Sequence, residues 1–144
     1  MPLMNREQIM EVIPHRDPIL LVDEVVEMVP EESIVTRFHV DPAMDVFRGH
    51  FPDAPVFPGV YTVESMAQAA DILLLSMERY ANKTPFFIGI DKVKFKGKIA
   101  PGDTIELHVK LTAERLEKAI ATCSAEVLVR GEIVATGDVT LAMR

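Results

Sequence analysis

The chain has 144 residues, 49% of them hydrophobic, and its 15 basic and 22 acidic side chains give it a formal charge of −7. This length predicts a single domain, residues 1–144, and the negative charge argues against general binding to nucleic acids, which depends on many cationic contacts to phosphates. The single cysteine, Cys123, excludes an internal disulfide, and the four histidines lack a metal-ligand spacing, so a metal or redox site is disfavoured and a cytoplasmic location is favoured.

The first predicted element is a short amphipathic helix at residues 5–12. Asn5 is a typical N-cap, Gln8 stands three residues later as a capping box requires, and Pro14 ends the helical pattern. The first ten residues lack an apolar core followed by small residues, so they do not resemble a secretory signal.

Two strands are expected next, at residues 19–28 and 33–40. Both segments are rich in β-branched and aliphatic side chains, which favour extended structure. The acidic stretch at residues 30–32, which begins with a proline, predicts the turn between them.

A long helix is predicted at residues 60–80, which contain neither glycine nor proline. In helical form this segment would span about 31 Å. Apolar side chains occur on nearly every face, so the helix should be surrounded by protein. Glu64, Gln68 and Asp71 form one polar stripe, which a lone membrane-spanning helix would not readily accept. At Asp71 the stripe is interpreted as facing solvent or another subunit.

The second half of the chain predicts four strands. Polar and apolar residues alternate at 104–111, as in a half-buried strand. The inward positions of residues 119–129 and 133–143 carry small side chains that let a curved sheet approach a helix, and Arg130 and Gly131 suit a tight turn. The order of elements favours an α+β fold in which one curved antiparallel sheet wraps a long central helix.

The loop at residues 49–59 has the most unusual composition in the chain. Three prolines recur at intervals of three and restrict the backbone, so the loop should hold its side chains rigidly. His50 lies near its start, and an imidazole is the side chain best suited to move protons at neutral pH. For a single histidine, a structural role is the usual alternative.

Three residues at the start of the long helix strengthen a catalytic interpretation of His50. Glu64 is expected to be buried, which is costly for a carboxylate unless it is paired, hydrogen-bonded or neutral, and Gln68 can donate a hydrogen bond to it. Gly59 places a free backbone N–H at the helix N-terminus, where it can stabilise an oxyanion. A base, an acid and an N–H donor suit removal of a proton next to a carbonyl with loss of a leaving group.

Several ordered blocks of sequence form a recognisable pattern. The central blocks are Gly49-His50-Phe51-Pro52, Pro55-Val56-Phe57-Pro58-Gly59-Val60 and Glu64-Ser65-Met66-Ala67-Gln68. The flanking blocks are Pro14-His15-Arg16, Leu20-Leu21-Val22-Asp23, Gly89-Ile90-Asp91-Lys92-Val93-Lys94-Phe95 and Pro101-Gly102-Asp103. Together they closely resemble the motifs of the β-hydroxyacyl-acyl carrier protein dehydratases, over nearly the whole chain.

This resemblance implies a hotdog fold and a homodimer unit, alone or as a trimer of dimers. It implies that His50 of one chain removes the C2 proton of a (3R)-hydroxyacyl thioester. Glu64 of the other chain would protonate the departing 3-hydroxyl, giving the trans-2-enoyl thioester without a cofactor. Gly59 would bind the thioester carbonyl and Gln68 would support Glu64, whose identity resembles the dehydratase-only branch of the family.

The resemblance also implies an apolar tunnel for the acyl chain, with Phe57, Val60 and Tyr61 as its lining. Four residues depart from the family's usual pattern, namely Asp53, Phe57, Tyr61 and Asp71. None of them belongs to the proton-transfer pair, so they bear on substrate choice and leave open both general fatty acid synthesis and a specialised pathway.

Basic residues are expected to dock the acidic acyl carrier protein. Lys92, Lys94, Lys96 and Lys98 alternate with other residues, so in an unbroken strand all four would share one face. Arg48 is a further docking candidate. Protection of an exposed sheet edge is nearly as good an explanation for each lysine.

Two other functions stay open at this point. A thioesterase on the same fold would use the helix carboxylate to assist water attack on the thioester, although the His50 loop disfavours it. A regulator would bind acyl thioesters without catalysis, but such proteins usually carry a DNA-reading element that this sequence does not evidently contain.

Overall fold

The computed structural model describes residues 2–144, so residue 1 of the predicted domain lies outside the described residues. Two α-helices and six β-strands form in this range. The helices are α1 (Arg6–Val12) and α2 (Gly59–Leu75), and the strands are β1 (Glu24–Val29), β2 (Ser33–His39), β3 (Pro85–Phe95), β4 (Thr104–Arg115), β5 (Ile120–Val129) and β6 (Glu132–Met143). Short 3-10 helices at Asp45–Arg48, Glu78–Tyr80 and Leu116–Lys118 lie in the connections.

Helix α1 begins as the sequence predicts. The Asn5 side chain accepts a hydrogen bond from the Gln8 N–H at 2.9 Å, and the Gln8 side chain accepts one from the Asn5 N–H at 2.9 Å. This capping box satisfies two N–H groups that the helical hydrogen-bond pattern leaves without partners. Ile9 is buried and joins the helix to the core.

The six strands form one antiparallel sheet in the order β1-β2-β4-β5-β6-β3. Helix α2 contacts every strand from β2 to β6, so the sheet wraps the helix as the α+β prediction requires. The predicted alternation in β4 is confirmed, since Ile105, Leu107 and Val109 are buried while the residues between them are not.

Strand β1 begins at Glu24, five residues later than predicted, because the preceding segment bonds to helix α2 instead of to β2. The Gln68 side chain accepts a hydrogen bond from the Leu21 N–H at 2.7 Å and donates one to the Ile19 carbonyl oxygen at 2.7 Å. A helix side chain thus satisfies backbone groups that a strand would pair with its neighbour. The expected strand over residues 19–23 is therefore wrong.

Helix α2 is shorter than predicted. Its 17 residues span about 25 Å and it ends at Leu75 instead of residue 80. Ser76 Oγ donates a hydrogen bond to the Ile72 carbonyl at 2.6 Å, a contact that competes with the helical pattern, and the chain then turns. The helix is buried over most of its length, but Val60, which was expected to be surrounded by protein, is 74% exposed.

The small inward side chains of β5 and β6 have the effect that the sequence predicts. A Cβ atom on Gly137 would lie 2.8 Å from Val93 Cγ2 and 3.4 Å from Met66 Sδ, so a larger residue would push β6 away from β3 and α2. The predicted tight turn is also confirmed, because Arg130 and Gly131 both have positive φ, 50° and 80°, as a two-residue hairpin turn requires.

Candidate active site

The proline-rich loop holds His50 by hydrogen bonds on both sides of its peptide. The His50 N–H donates to the Val46 carbonyl at 3.0 Å, and the Val56 N–H donates to the His50 carbonyl at 3.0 Å. The loop is tied to the sheet side of the domain by the Phe57 N–H, which donates to the Ile99 carbonyl at 2.8 Å. These bonds fix the position of His50 before any ligand binds.

The imidazole of His50 has one defined tautomer. Its Nδ1 lies 2.9 Å from the Val56 carbonyl oxygen, which can only accept a hydrogen bond, so Nδ1 carries the ring proton. The lone pair is then on Nε2, the nitrogen that can take a proton from a substrate. The Phe51 ring stacks on the imidazole with 4.0 Å between ring centroids.

Gly59 begins helix α2 and presents its backbone N–H at the helix N-terminus. The N–H groups of the first turn have no intrahelical acceptor, and the hydrogen bonds of residues 2–144 give the Gly59 N–H none elsewhere. A Cβ atom at this position would lie 2.9 Å from Cζ of Phe95. The glycine therefore allows the Phe95 ring to pack against the helix, a constraint that the sequence pattern did not reveal.

Glu64 and Gln68 are joined one turn apart on helix α2. Gln68 Oε1 accepts a hydrogen bond from the Leu21 N–H, so the other end of the amide is the donor, and Nε2 donates to Glu64 Oε2 at 2.7 Å. The amide is fixed by the backbone segment before β1 and in turn orients the carboxyl. The Glu64 side chain is 25% exposed, so it is less buried than the sequence suggested.

His50 and Glu64 do not form a pair within one chain. In the part of the chain from residue 2 to residue 144, no nitrogen of His50 lies within 4.0 Å of an oxygen of Glu64. One chain thus brings together Glu64, Gln68 and the segment before β1, whereas His50 is held separately by its own loop.

Two further residues lie beside Glu64 that the sequence analysis did not assign to the site. His15 Nε2 is 3.7 Å from Glu64 Oε2 and 3.7 Å from Asp71 Oδ2. The Asp71 side chain is only 3% exposed, so the interpretation that it faces solvent is wrong. The signal was its spacing, because residues 64 and 71 lie two turns apart on one helix face and share their surroundings.

Burial changes the protonation of both new residues. Burial raises the pKa of Asp71 well above its usual range, and the nearby charge of Glu64 adds to the effect. Burial lowers the pKa of His15, although Glu64 opposes this change. The neutral forms of both side chains are therefore favoured.

The three residues expected to line an acyl tunnel have different surroundings. Phe57 is buried between Phe38, at a centroid distance of 6.2 Å, and the edge of the Tyr61 ring, at 5.8 Å. Tyr61 and Phe38 also line a cavity of about 600 Å3. Val60 points away from the core and is exposed.

The predicted lysine face requires an unbroken strand, and β3 does not provide one. It has a bulge just after Asp91, where Lys92 adopts a φ of 54°, and it ends before Lys96. The prediction that Lys92, Lys94, Lys96 and Lys98 share one strand face is therefore wrong, although all four side chains are exposed.

Arg48 lies at the end of the 3-10 helix Asp45–Arg48, immediately before the His50 loop. Its side chain is 83% exposed and approaches Asp45 at 3.8 Å. An ion pair this exposed holds the guanidinium only weakly, so Arg48 is free to meet another anion.

Among residues 2–144, no group of histidine, cysteine and acidic side chains is arranged to hold a metal ion. Cys123 is buried on β5, and burial raises the pKa of its thiol to about 12. In the same range, neither helix combines the length and the apolar character needed to cross a membrane.

Comparison with known proteins gives a consistent match. The model of the FabA-like domain matches residues 13–138. The 3-hydroxyacyl-[acyl-carrier-protein] dehydratase FabZ of Clostridium perfringens is 45% identical over 141 residues, which cover 98% of this chain and 99% of that protein. The protein of the same description from Oenococcus oeni is 43% identical over 141 residues, 98% of this chain and 100% of that one.

Solved structures share the fold at low sequence identity. The dehydratase heterocomplex ApeI:P from Xenorhabdus doucetiae has a TM-score of 0.77 at 16% identity, covering 100% of this chain and 91% of that chain. Zebra fish thioesterase superfamily member 2 has a TM-score of 0.68 at 17% identity, covering 94% and 91%. The fold is thus the hotdog fold, as the sequence resemblance implies.

Proposed function

The chain belongs to the FabA-like domain family and dehydrates 3-hydroxyacyl chains carried by acyl carrier protein in fatty acid biosynthesis, and from this premise we propose that His50 is the base and Glu64 the acid of the reaction. The observation that carries the assignment of His50 is the hydrogen bond from its Nδ1 to the Val56 carbonyl oxygen. This bond leaves Nε2 unprotonated and fixed in direction, as a general base requires.

The proposed reaction takes a (3R)-hydroxyacyl thioester to the trans-2-enoyl thioester. His50 Nε2 removes the C2 proton, and the electron pair of the C2–H bond forms the C2–C3 double bond. The C3–O bond breaks, and Glu64 gives its proton to the departing hydroxyl, which leaves as water. No redox change occurs, so we propose that no cofactor takes part.

Glu64 must carry a proton when the hydroxyl leaves. The hydrogen bond from Gln68 directs one carboxyl oxygen, and part-burial in the helix favours the neutral form over the ionised one. The Gly59 N–H, which has no acceptor within the described chain, is proposed to bind the thioester carbonyl, where negative charge develops as C2 loses its proton.

The active site is proposed to form between two copies of the chain. Two facts support this: one chain does not bring His50 within 4.0 Å of Glu64, and β3 is an edge strand that pairs with β6 alone. Along that edge Phe86 and Ile90 are 53% and 60% exposed, which is typical of a strand that pairs with another chain. A homodimer is the proposed unit, and a trimer of such dimers is the proposed larger particle.

Carrier docking is proposed for the basic residues near the site. Arg48 has the best support, because it is exposed, precedes the His50 loop and has only a weak partner. The four lysines of the β3 region are also proposed to attract the acidic carrier, now as scattered exposed charges and not as one face, and protection of the β3 edge stays the alternative. A cytoplasmic location is proposed with the same soluble carrier in view.

The acyl chain is proposed to enter an apolar passage beside Phe57 and Tyr61. The contact between these rings and the cavity beside Tyr61 support this, while the exposure of Val60 makes it a rim residue at most in one chain. A passage of this size accepts part of an extended chain.

One assay separates the proposed reaction from its two rivals. A 3-hydroxyacyl chain on acyl carrier protein is incubated with the protein, and both the conjugated enoyl product and free carrier thiol are measured. Enoyl formation without thiol release supports dehydration, whereas thiol release without enoyl formation would indicate a thioesterase. Binding of the carrier without either product would indicate a regulator, and in that case Glu64→Gln would be harmless.

A further inference from the structure

The buried carboxyl of Asp71 has no part in the reaction described above. Its side chain is 3% exposed, and its Oδ1 has no hydrogen-bond partner among residues 2–144. A buried, unpaired carboxylate is costly, so the group favours its neutral, protonated form. The raised pKa that burial gives Asp71 agrees with this reasoning.

His15 connects this carboxyl to Glu64. A single nitrogen, His15 Nε2, lies 3.7 Å from one oxygen of each carboxyl, while the buried His15 Nδ1 has no partner in the described chain. We call His15, Glu64 and Asp71 the proton cluster. Two carboxyls share one imidazole in it, and burial keeps that imidazole largely neutral by lowering its pKa.

The charged and titratable groups around the proton cluster do not neutralise it. Cys123 approaches Asp71 from β5, but burial raises the pKa of its thiol to about 12, so it is uncharged. Arg16 follows His15 in the chain, but its guanidinium donates hydrogen bonds to three backbone carbonyl oxygens, which direct it away from the carboxyls. With no cation to balance two carboxylates, the cluster must keep a proton.

We propose that Asp71 and His15 are positioning residues that keep a proton at Glu64 as the pH rises above neutrality, an inference that rests on the proposed role of Glu64 as the acid. Ionising both carboxyls would bring two like charges around one neutral imidazole in a poorly solvated space. The cluster therefore releases its protons as a unit. The dehydratase stays active at higher pH than the same chain with a neutral residue at position 71.

The test compares the pH dependence of kcat/KM for the wild type, Asp71→Asn and Glu132→Gln on a carrier-bound 3-hydroxyacyl substrate. Asp71→Asn keeps the size of the side chain and removes its charge, whereas Glu132→Gln removes one charge from an exposed position at the start of β6. We expect the alkaline limb of the profile to move to lower pH by about one unit in Asp71→Asn and to stay in place in Glu132→Gln.

The role of His15 is tested by the double variant. In a His15→Gln background, Asp71→Asn should move the alkaline limb by a smaller amount, because the group that lies within 3.7 Å of both carboxyls is gone. An undiminished shift would show that His15 takes no part. Should Asp71→Asn fail to fold, Asp71→Ala is expected to give the same shift, since alanine also lacks the charge and suits the middle of a helix.

Two results would overturn the inference while leaving the proposed function intact. One is a kcat/KM that falls equally at every pH, which is the result of a purely structural role, and the other is superimposed profiles. Infrared spectra of the free protein give a readout that does not depend on activity, because the carboxylic acid band at neutral pH should weaken in Asp71→Asn. A wild type that fails to dehydrate the substrate would instead refute the proposed function.

Discussion

His50 and Val56 face each other across the proline-rich loop, with the imidazole Nδ1 2.9 Å from the Val56 carbonyl oxygen. The contact uses a backbone group as the partner that orients the base, where many enzymes use a carboxylate. A backbone partner carries no full charge, so the imidazole is oriented without being held in its cationic form.

His50→Ala removes the base and should lower turnover by more than about 100-fold while leaving the fold intact. Turnover on a carrier-bound 3-hydroxyacyl substrate and the thermal midpoint of unfolding are the two measurements. His108→Ala is the matched control, because His108 is an exposed histidine on β4 that pairs with Glu106. Equal losses of turnover in the two variants would contradict the assignment.

Gln68→Met should reduce both stability and turnover. The change leaves the Leu21 N–H and the Ile19 carbonyl without partners in the interior, which costs about 1–3 kcal/mol of unfolding free energy. Turnover falls because Glu64 loses the donor that orients it. Urea unfolding and steady-state kinetics measure the two effects.

Ser65→Ala is the control for this variant, since Ser65 is equally buried on α2 but donates only to the Thr62 carbonyl of its own helix. It should cost less stability than Gln68→Met and leave turnover near that of the wild type. Wild-type stability in Gln68→Met would mean that the segment before β1 does not depend on the amide.

The sequence predicted most of the fold because its signals were local. Asn5 and Gln8 cap α1, and Arg130 and Gly131 form the turn before β6, each through contacts within a few residues. The errors occurred where distant parts of the chain interact. The start of β1 depends on Gln68, almost fifty residues away, and no local pattern at residues 19–23 reveals that partner.

The same distinction applies to the candidate site. His50, Gly59, Glu64 and Gln68 could be selected from one continuous stretch, and their contacts with neighbouring backbone follow from it. The position of His15 beside Glu64 could not, because it depends on how the segment after α1 packs across α2.

Gly59→Ala should destabilise the domain by about 1–3 kcal/mol, because the new Cβ would lie 2.9 Å from Cζ of Phe95. Adding Phe95→Leu removes the ring and should restore part of the lost stability, as measured by urea unfolding. The Phe95→Leu single variant is the control for loss of the ring alone. A double variant no more stable than Gly59→Ala would show that the collision is not the cause.

Glu114→Gln should weaken the dependence of stability on acidic pH. Hydrogen bonds from Arg79 at 2.8 and 3.0 Å, helped by one from the Tyr80 hydroxyl, lower the pKa of Glu114 in the folded state. A carboxyl with a lowered folded pKa stabilises the protein above its unfolded value, about 4.3, and this contribution disappears as pH falls through the folded value.

The wild type should therefore lose more stability than Glu114→Gln between about pH 5 and pH 3, as followed by thermal unfolding. Glu117→Gln is the control, because its pair with Arg115 is exposed and long, at 3.8 Å. Parallel curves for the wild type and Glu114→Gln would show that the Arg79 contact does not persist in solution.

Mixing two inactive variants tests whether the active site joins two chains. In a dimer of His50→Ala and Glu64→Ala chains, one site lacks both groups and the other keeps both, so it should be active. Random exchange makes about half of the dimers mixed, each with one intact site of two, so activity should recover to about one quarter of the wild-type value. Exchange is verified with differently tagged chains, and the single variants incubated alone serve as controls. No recovery despite verified exchange would place His50 and Glu64 of each site in the same chain, because no mixed dimer would then contain an intact pair.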